Sequence, residues 1–302
     1  MPFFNSLLYN LELLLEMTSA LLIIVGCNRK SHMYDKVLGQ FVSLQLGFDR
    51  RELSWVAGWF NRLLFSSVII FFVGITVDWL SWQQPYMTLS SLCCVHIPVL
   101  LTAMAVSQYW FAITFVLQNC RKINRQMNEF SDRTNDDGDK RLYELERLRM
   151  QHKDLHELML YINDGFGKLL LSTFLAIVVV VNVELLELYQ YFRRGVLSVS
   201  VGSHILYALV WLLLHLVLLL LIVYPNHAMH NERMRTGLLL FELPGMDSER
   251  GDHGIMHFSQ QILHQRQPYK ACGIITLNLS IISTIVGALS TCLVILIQFA
   301  SN

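Results

Sequence analysis

The chain of 302 residues is 54% hydrophobic and 15% charged, with a mean hydropathy of +0.44, whereas soluble domains run at about 45–50% apolar and about 25% charged. That balance argues against a soluble globular protein, and 23 cations set against 23 anions leave no net charge to draw a nucleic acid. The six cysteines (Cys27, Cys93, Cys94, Cys120, Cys272 and Cys292) contain no CxxC pair, so neither a zinc site nor a disulfide scaffold is indicated, and no cofactor is expected.

A bilayer core of about 30 Å needs about 20 mostly apolar helical residues, because every backbone polar group in lipid must be bonded within its own helix. Six stretches qualify. The first, about 6–27, is interrupted by Glu12 and Glu16; the first cation is Arg29, so no basic segment precedes it and it is expected in the mature protein. The second, about 63–82, contains Asp78 and is cut off by Gln83, Gln84 and Pro85. The third runs over about 91–117, and the fourth over about 169–192 with Glu184 and Glu187 near its far end. The fifth, about 205–224, is leucine-rich and interrupted only by His215; the sixth, about 271–300, carries no formal charge.

Of the 23 Lys and Arg, only Arg193 and Arg194 lie outside the connections 28–62, 118–168 and 225–270. Cations in short loops stay on the cytoplasmic side, so these connections are expected there and both termini outside. In the second of them, Leu142, Leu145, Leu148, Leu155, Leu158 and Ile162 recur at helical spacing among charges, which predicts an amphipathic helix. The run Ser131 to Lys140 reads as a loop splitting that region into two helices. In the third connection, Pro244 to Gly254 reads as a loop and Ile255 to Gln265 as a polar helix. The expected fold is all-α: a polytopic transmembrane helical bundle with amphipathic cytoplasmic helices, in one membrane domain.

No Ser-His-Asp set, glycine-rich phosphate loop or carboxylate pair can be assembled from sequence neighbours, so no enzyme is expected. His152 and His156 in HKDLH stand one turn apart, but the Glu of HExxH is missing; a solvated helix face is expected, and no metal. His96 and His215 are expected to pack against a neighbouring hydroxyl or carbonyl. Ionisable residues inside spans are costly and mark functional positions. Asp78, Glu184 and Glu187 fall in the outer part of their helices, level with Trp79, Trp82, Tyr86, Tyr189 and Tyr191. Two readings stay open: an interfacial aromatic belt with carboxylates reaching the headgroups, or an outward-facing ligand pocket. For the pocket the candidates are Asp78, Trp79, Tyr86, Tyr109, Trp110, Glu184, Glu187 and Tyr189.

The last stretch ends Thr291-Cys292-Leu293-Val294-Ile295-Leu296-Ile297-Gln298-Phe299. Ile295, Gln298 and Phe299, spaced i, i+3 and i+4, share one helix face, with Thr291 and Cys292 a turn below. Gln298 either marks the lipid–water boundary, or the face lines a pore in which bulky apolar residues gate by dewetting and an amide assists permeating ions.

This ending closely resembles the signature of insect gustatory receptors: Thr-Tyr, a hydrophobic residue, four variable residues and Gln-Phe. Thr291, Leu293, Gln298 and Phe299 match with correct spacing, and Cys292 stands in the Tyr position. The resemblance extends upstream through Phe258-Ser259, Gln261, Cys272-Gly273, Leu277-Asn278 and Val286-Gly287-Ala288, and the hydropathy layout agrees with it along the chain. It implies a seven-span subunit with a cytoplasmic N-terminus and external C-terminus, assembled as a homo- or hetero-tetramer with other gustatory receptors around a pore made by the last helix. It further implies a non-selective cation channel opened by a small-molecule tastant in the plasma membrane of sensory neurons. By motif position, Gln298 lines the pore, Ile295 and Phe299 form its constriction, and Thr291 and Cys292 face neighbouring helices. Aligned from the C-terminus, the chain lacks the family's first helix, which suggests an internal start at Met1 or a truncated isoform. The competing expectations are a G-protein-coupled type of receptor, which needs the C-terminus inside, a transporter, for which no internal repeat is visible, and a degenerate or truncated subunit that does not conduct.

Overall fold

Long apolar runs that must satisfy their own backbone hydrogen bonds can only be helices, and the helices dominate the chain. The computed structural model describes residues 2–29, 39, 50–82, 84–132, 138–194, 199–243, 249–265, 267 and 269–301. Helix α1 is Pro2–Arg29 and α2 is Arg50–Trp82. Helix α3 (Pro85–Ser91) runs through a π-helical turn (Leu92–His96) into α4 (Ile97–Asp132). Helix α5 is Gly138–Arg194, α6 is Val199–Phe241 and α7 is Glu249–His264. A two-stranded antiparallel hairpin, β1 (Lys270–Ala271) and β2 (Ile275–Thr276), leads into α8 (Ser280–Ser301). The expected all-α polytopic bundle is what the chain forms. Among the described helices, five are long and apolar enough to cross a membrane, and a shorter apolar stretch, Ser280–Ile295, lies in α8.

Helix α4 is the hub, packed against α1, α2, α5 and α6. Helix α5 also holds α7, β1 and α8. The core they share includes Val106, Ile113, Val116, Leu158, Met159, Leu170 and Ile222, all nearly inaccessible. At its centre Tyr109 of α4 donates its hydroxyl to Asn163 Oδ1 of α5 at 3.1 Å and accepts from Asn226 Nδ2 of α6 at 2.8 Å. Asn226 follows Pro225, which has no N–H for the preceding turn; its amide also donates to the Ile222 carbonyl at 2.6 Å. Helix α6 continues past Pro225, where the fifth apolar stretch ends, to Phe241.

Other departures from expectation have local causes. His152, expected on a solvated face, is buried: α7 lies over that face, with Phe258 edge-on to the imidazole at 5.7 Å. Half-buried His156 meets the Tyr269 hydroxyl at 2.9 Å. Helix α7 begins at Glu249, so part of the expected 244–254 loop is helical despite Gly251 and Gly254. Residues 270–276, expected to open the last span, turn back on themselves instead, and the helix starts at Ser280. At that turn Cys272 and Gly273 have φ of 50° and 73°, a left-handed conformation that glycine takes without steric cost. Helices flank the expected 131–140 loop on both sides, whereas 133–137, 244–248 and most of 30–49 fall outside the described residues.

Candidate ligand pocket and pore helix

Pro98 has no N–H for the Cys94 carbonyl, and the helix ahead of it opens into the wider π turn. That turn aims His96 at α2. Its Nε2 lies 2.8 Å from Asp78 Oδ2, and the Ser91 hydroxyl donates to the same carboxylate oxygen. The His96 ring also stacks on Trp211 of α6, 5.6 Å between centroids and 24° between planes, and meets Phe71 edge-on at 6.4 Å. Gly74 makes room for it: a Cβ there would stand 2.8 Å from His96 Cε1.

His96, Trp211, Phe71 and Gly74 line a largely apolar pocket among α2, α4 and α6, together with Val99, Leu100, Tyr207 and Leu214. Its free space is about 490 Å³, partly open to the surroundings, of which about 30 Å³ admits the centre of a water-sized molecule. On the next faces of α6 and α5 the acids gather. His215 Nδ1 donates to the Trp211 carbonyl at 2.9 Å, and its Nε2 lies 3.5 Å from Glu16 Oε1 of α1. Glu12 and Glu184 are close enough to act on the same imidazole. Glu16 Oε2 and Glu184 Oε2 are buried with no hydrogen-bond partner among the described residues. Such orphaned acceptors are costly in a closed interior and suit hydroxyl or amine donors brought by a ligand.

The structure thus divides the pocket candidates. Asp78 and Glu184 are buried and point into the helix bundle. Trp79 and Tyr86 are exposed on α2 and α3, whereas Glu187, Tyr189 and Trp110 are half-buried. Tyr109 lies 13 residues past His96 in α4, about 20 Å deeper at 1.5 Å per residue, and belongs to the central asparagine knot. Trp211, Tyr207 and Gly74 carry the pocket without having been picked out, and His96, expected only to pack against a hydroxyl or carbonyl, meets the Asp78 carboxylate instead. An imidazole, a carboxylate and an indole in neighbouring apolar spans were the available signal, but their rotations were not.

Charge also gathers at the other end of the bundle. Glu232 of α6 accepts from Arg121 Nε at 3.2 Å and from Asn124 Nδ2 at 2.9 Å, tying α4 to α6. The next residue, buried Arg233, sets its guanidinium 4.9 Å from the Tyr269 ring centroid. Burial pushes the Tyr269 hydroxyl well above the usual phenol range although the Arg233 cation acts the other way, so it stays protonated beside His156.

Helix α8 at 22 residues is about 33 Å long, enough to cross a bilayer core of about 30 Å. Ile281, Ile285, Leu289, Leu293 and Ile297 recur every four residues as its covered stripe, and the helix packs on α5. The opposite face is exposed and carries Thr284, Gly287, Thr291, Ile295 and Gln298, with Cys292 exposed at its flank. The Thr291 hydroxyl is turned onto the Gly287 carbonyl at 3.0 Å. Phe299 lies on this helix, with its side chain outside the described residues.

The profile of one family, described as 7tm chemosensory receptor, matches residues 1–302. The Drosophila melanogaster gustatory receptor for sugar taste 43a is 28% identical over 165 residues, 51% of this chain and 36% of that protein. A second Drosophila melanogaster relative, named as gustatory receptor 59f, is 21% identical over 223 residues, 72% of this chain and 53% of its own. The chain therefore matches 36% and 53% of the lengths of these curated relatives. The solved insect olfactory receptor OR5 from Machilis hrabei, in complex with eugenol, superimposes with a TM-score of 0.76 at 10% identity, covering 98% of this chain and 82% of that one. Without eugenol the same receptor gives 0.74 at 11% identity over the same shares. At such identities the likeness is one of fold.

Proposed function

Because the chain belongs to the 7tm chemosensory receptor family, we propose that it is a gustatory receptor subunit forming a tastant-gated, non-selective cation channel. Four copies, alike or mixed with other gustatory receptors, surround a pore lined by α8. The subunit sits in the plasma membrane of sensory neurons, with the charged ends of α4, α5 and α6 in the cytoplasm and the C-terminus outside. One observation carries the reading: α8 covers a single apolar stripe and leaves Thr284, Gly287, Thr291, Ile295 and Gln298 exposed on the far side. The threonine hydroxyls are bonded back to the helix's own carbonyls, but an apolar spanning helix has no reason to present the Gln298 amide to lipid, whereas a water-filled pore accommodates it. Ile295 and Phe299 form the constriction and Gln298 stands beside it.

The ligand binds in the half of the bundle that holds His96, Asp78, Trp211, Glu16 and Glu184. A small molecule with hydroxyl donors meets both needs of the site, aromatic faces to stack on and orphaned carboxylate oxygens to satisfy. The relative named for sugar taste supports that class. With about 30 Å³ open to the centre of a water-sized molecule, entry requires the helices to part, and the free energy of that parting is what the ligand can transmit to α8.

The test is current through cells expressing the chain, alone and with a second gustatory receptor, during a panel of sugars and bitter compounds. A tastant-evoked cation current whose permeability ratios change in Gln298→Glu is the expected result. Responses that persist unchanged when ion flow is blocked would overturn the channel in favour of a G-protein-coupled mechanism. Antibody access to a C-terminal tag in intact cells checks the orientation separately.

A further inference from the structure

A second pocket, in which about 510 Å³ admits the centre of a water-sized molecule, opens where the apolar half of α5 meets its charged half. Lys168 stands on one wall, at the last position before Leu169 begins the apolar run, and Lys270 on the other, in β1. His156 and His264 also line it, and Asp164 is the only carboxylate in its walls among the described residues. Gly167 lets the hairpin close the pocket from one side: a Cβ there would stand 3.2 Å from the Cys272 backbone nitrogen. Behind the wall formed by His156 and Tyr269 lies Arg233, 4% exposed, its charge against the Tyr269 ring and its Nη1 without a hydrogen-bond partner among the described residues. A buried guanidinium with an unsatisfied donor is costly, and an anion on the far side of Tyr269 reduces that cost electrostatically.

Two lysines at the edge of an apolar helix segment sit where lipid phosphates lie. We infer that this pocket binds a phosphate group, presented by the headgroup of an anionic lipid, between Lys168 and Lys270. The position couples its occupancy to α8, since Lys270 and Gly273 belong to the hairpin that leads into that helix, but the binding itself holds whether or not the chain conducts.

The experiment uses the full chain purified in detergent and titrates it with dioctanoyl phosphatidic acid, with dioctanoylglycerol, which lacks the phosphate, and with inorganic phosphate. Saturable binding of phosphatidic acid, absent for the diacylglycerol, is expected, with about a tenfold or greater loss in Lys168→Gln/Lys270→Gln. Asp164→Asn, which removes the opposing charge, should tighten binding by a few fold. Lys140→Gln/Lys153→Gln loses the same charge elsewhere on α5 and should stay within about twofold. Both pocket lysines are exposed, and size-exclusion profiles verify that the variants fold. Inorganic phosphate competing with the same dependence on Lys168 and Lys270 would keep the phosphate site and move its source from lipid to solution. Equal binding of phosphatidic acid and diacylglycerol, or equal losses in the two lysine pairs, would overturn the inference.

Discussion

Tyr109 and Ile295 are both apolar-span residues, yet one is enclosed by three helices and the other stands on a face left exposed among the described residues. Around Tyr109, α4, α5 and α6 satisfy one another: the phenol, Asn163 and Asn226 exchange hydrogen bonds, and large side chains close over them. Around Ile295, α8 uses only its Ile281–Leu289–Leu293 stripe. The difference teaches that subunit stability and subunit purpose reside in separate places. The interior is held by contacts among its own helices, whereas the exposed face of α8 lacks such cover among the described residues.

That division is open to test by substitution. Leu158→Ala, in the interior at zero exposure, should cost about 2–5 kcal/mol through the cavity it leaves, read as a fall in the denaturation midpoint of purified protein. Tyr109→Phe keeps the ring but strands the two asparagines, and should cost about 1–3 kcal/mol by the same measurement; no loss would mean that water replaces the hydroxyl and the knot is not structural. Gly74→Ala must push the His96 ring away from Asp78, at about 1–3 kcal/mol, and should weaken tastant responses more than it lowers expression. Ile295→Ala should change stability by no more than about 0.5 kcal/mol while raising leak current in the assembled receptor. A stability loss there as large as that of Leu158→Ala would show α8 to be a core helix, and the contrast between the two regions would fail.

Helix existence was legible because lipid demands it: runs such as 205–224 leave the backbone no other solution, and the second span ends at Trp82 with Pro85 opening the next helix, as the expected break required. Side-chain pairing was not. Asp78 and His96 lie 18 residues apart across that break, and their meeting depends on a π turn that rotates one helix relative to the other. His152 read as solvated because its own helix is charged around it; the residue that covers it, Phe258, arrives from a helix more than 100 positions later. The hairpin at 270–276 has strands of two residues, too short to carry a periodicity. Of the C-terminal motif, spacing alone showed that Ile295 and Gln298 share a face, and the covered stripe of α8 shows that it is the one turned away from α5.

Helix α5 runs without a break for 57 residues, about 85 Å, so well over half of it stands clear of a hydrocarbon layer about 30 Å thick. A shaft of that aspect ratio is a lever. A tilt of about 5° at the acidic end, where Glu184 sits, sweeps the opposite tip through about 7 Å, and the hairpin and α7 ride on that arm. Bending stiffness, a property of the whole rod, then magnifies at one end what happens at the other.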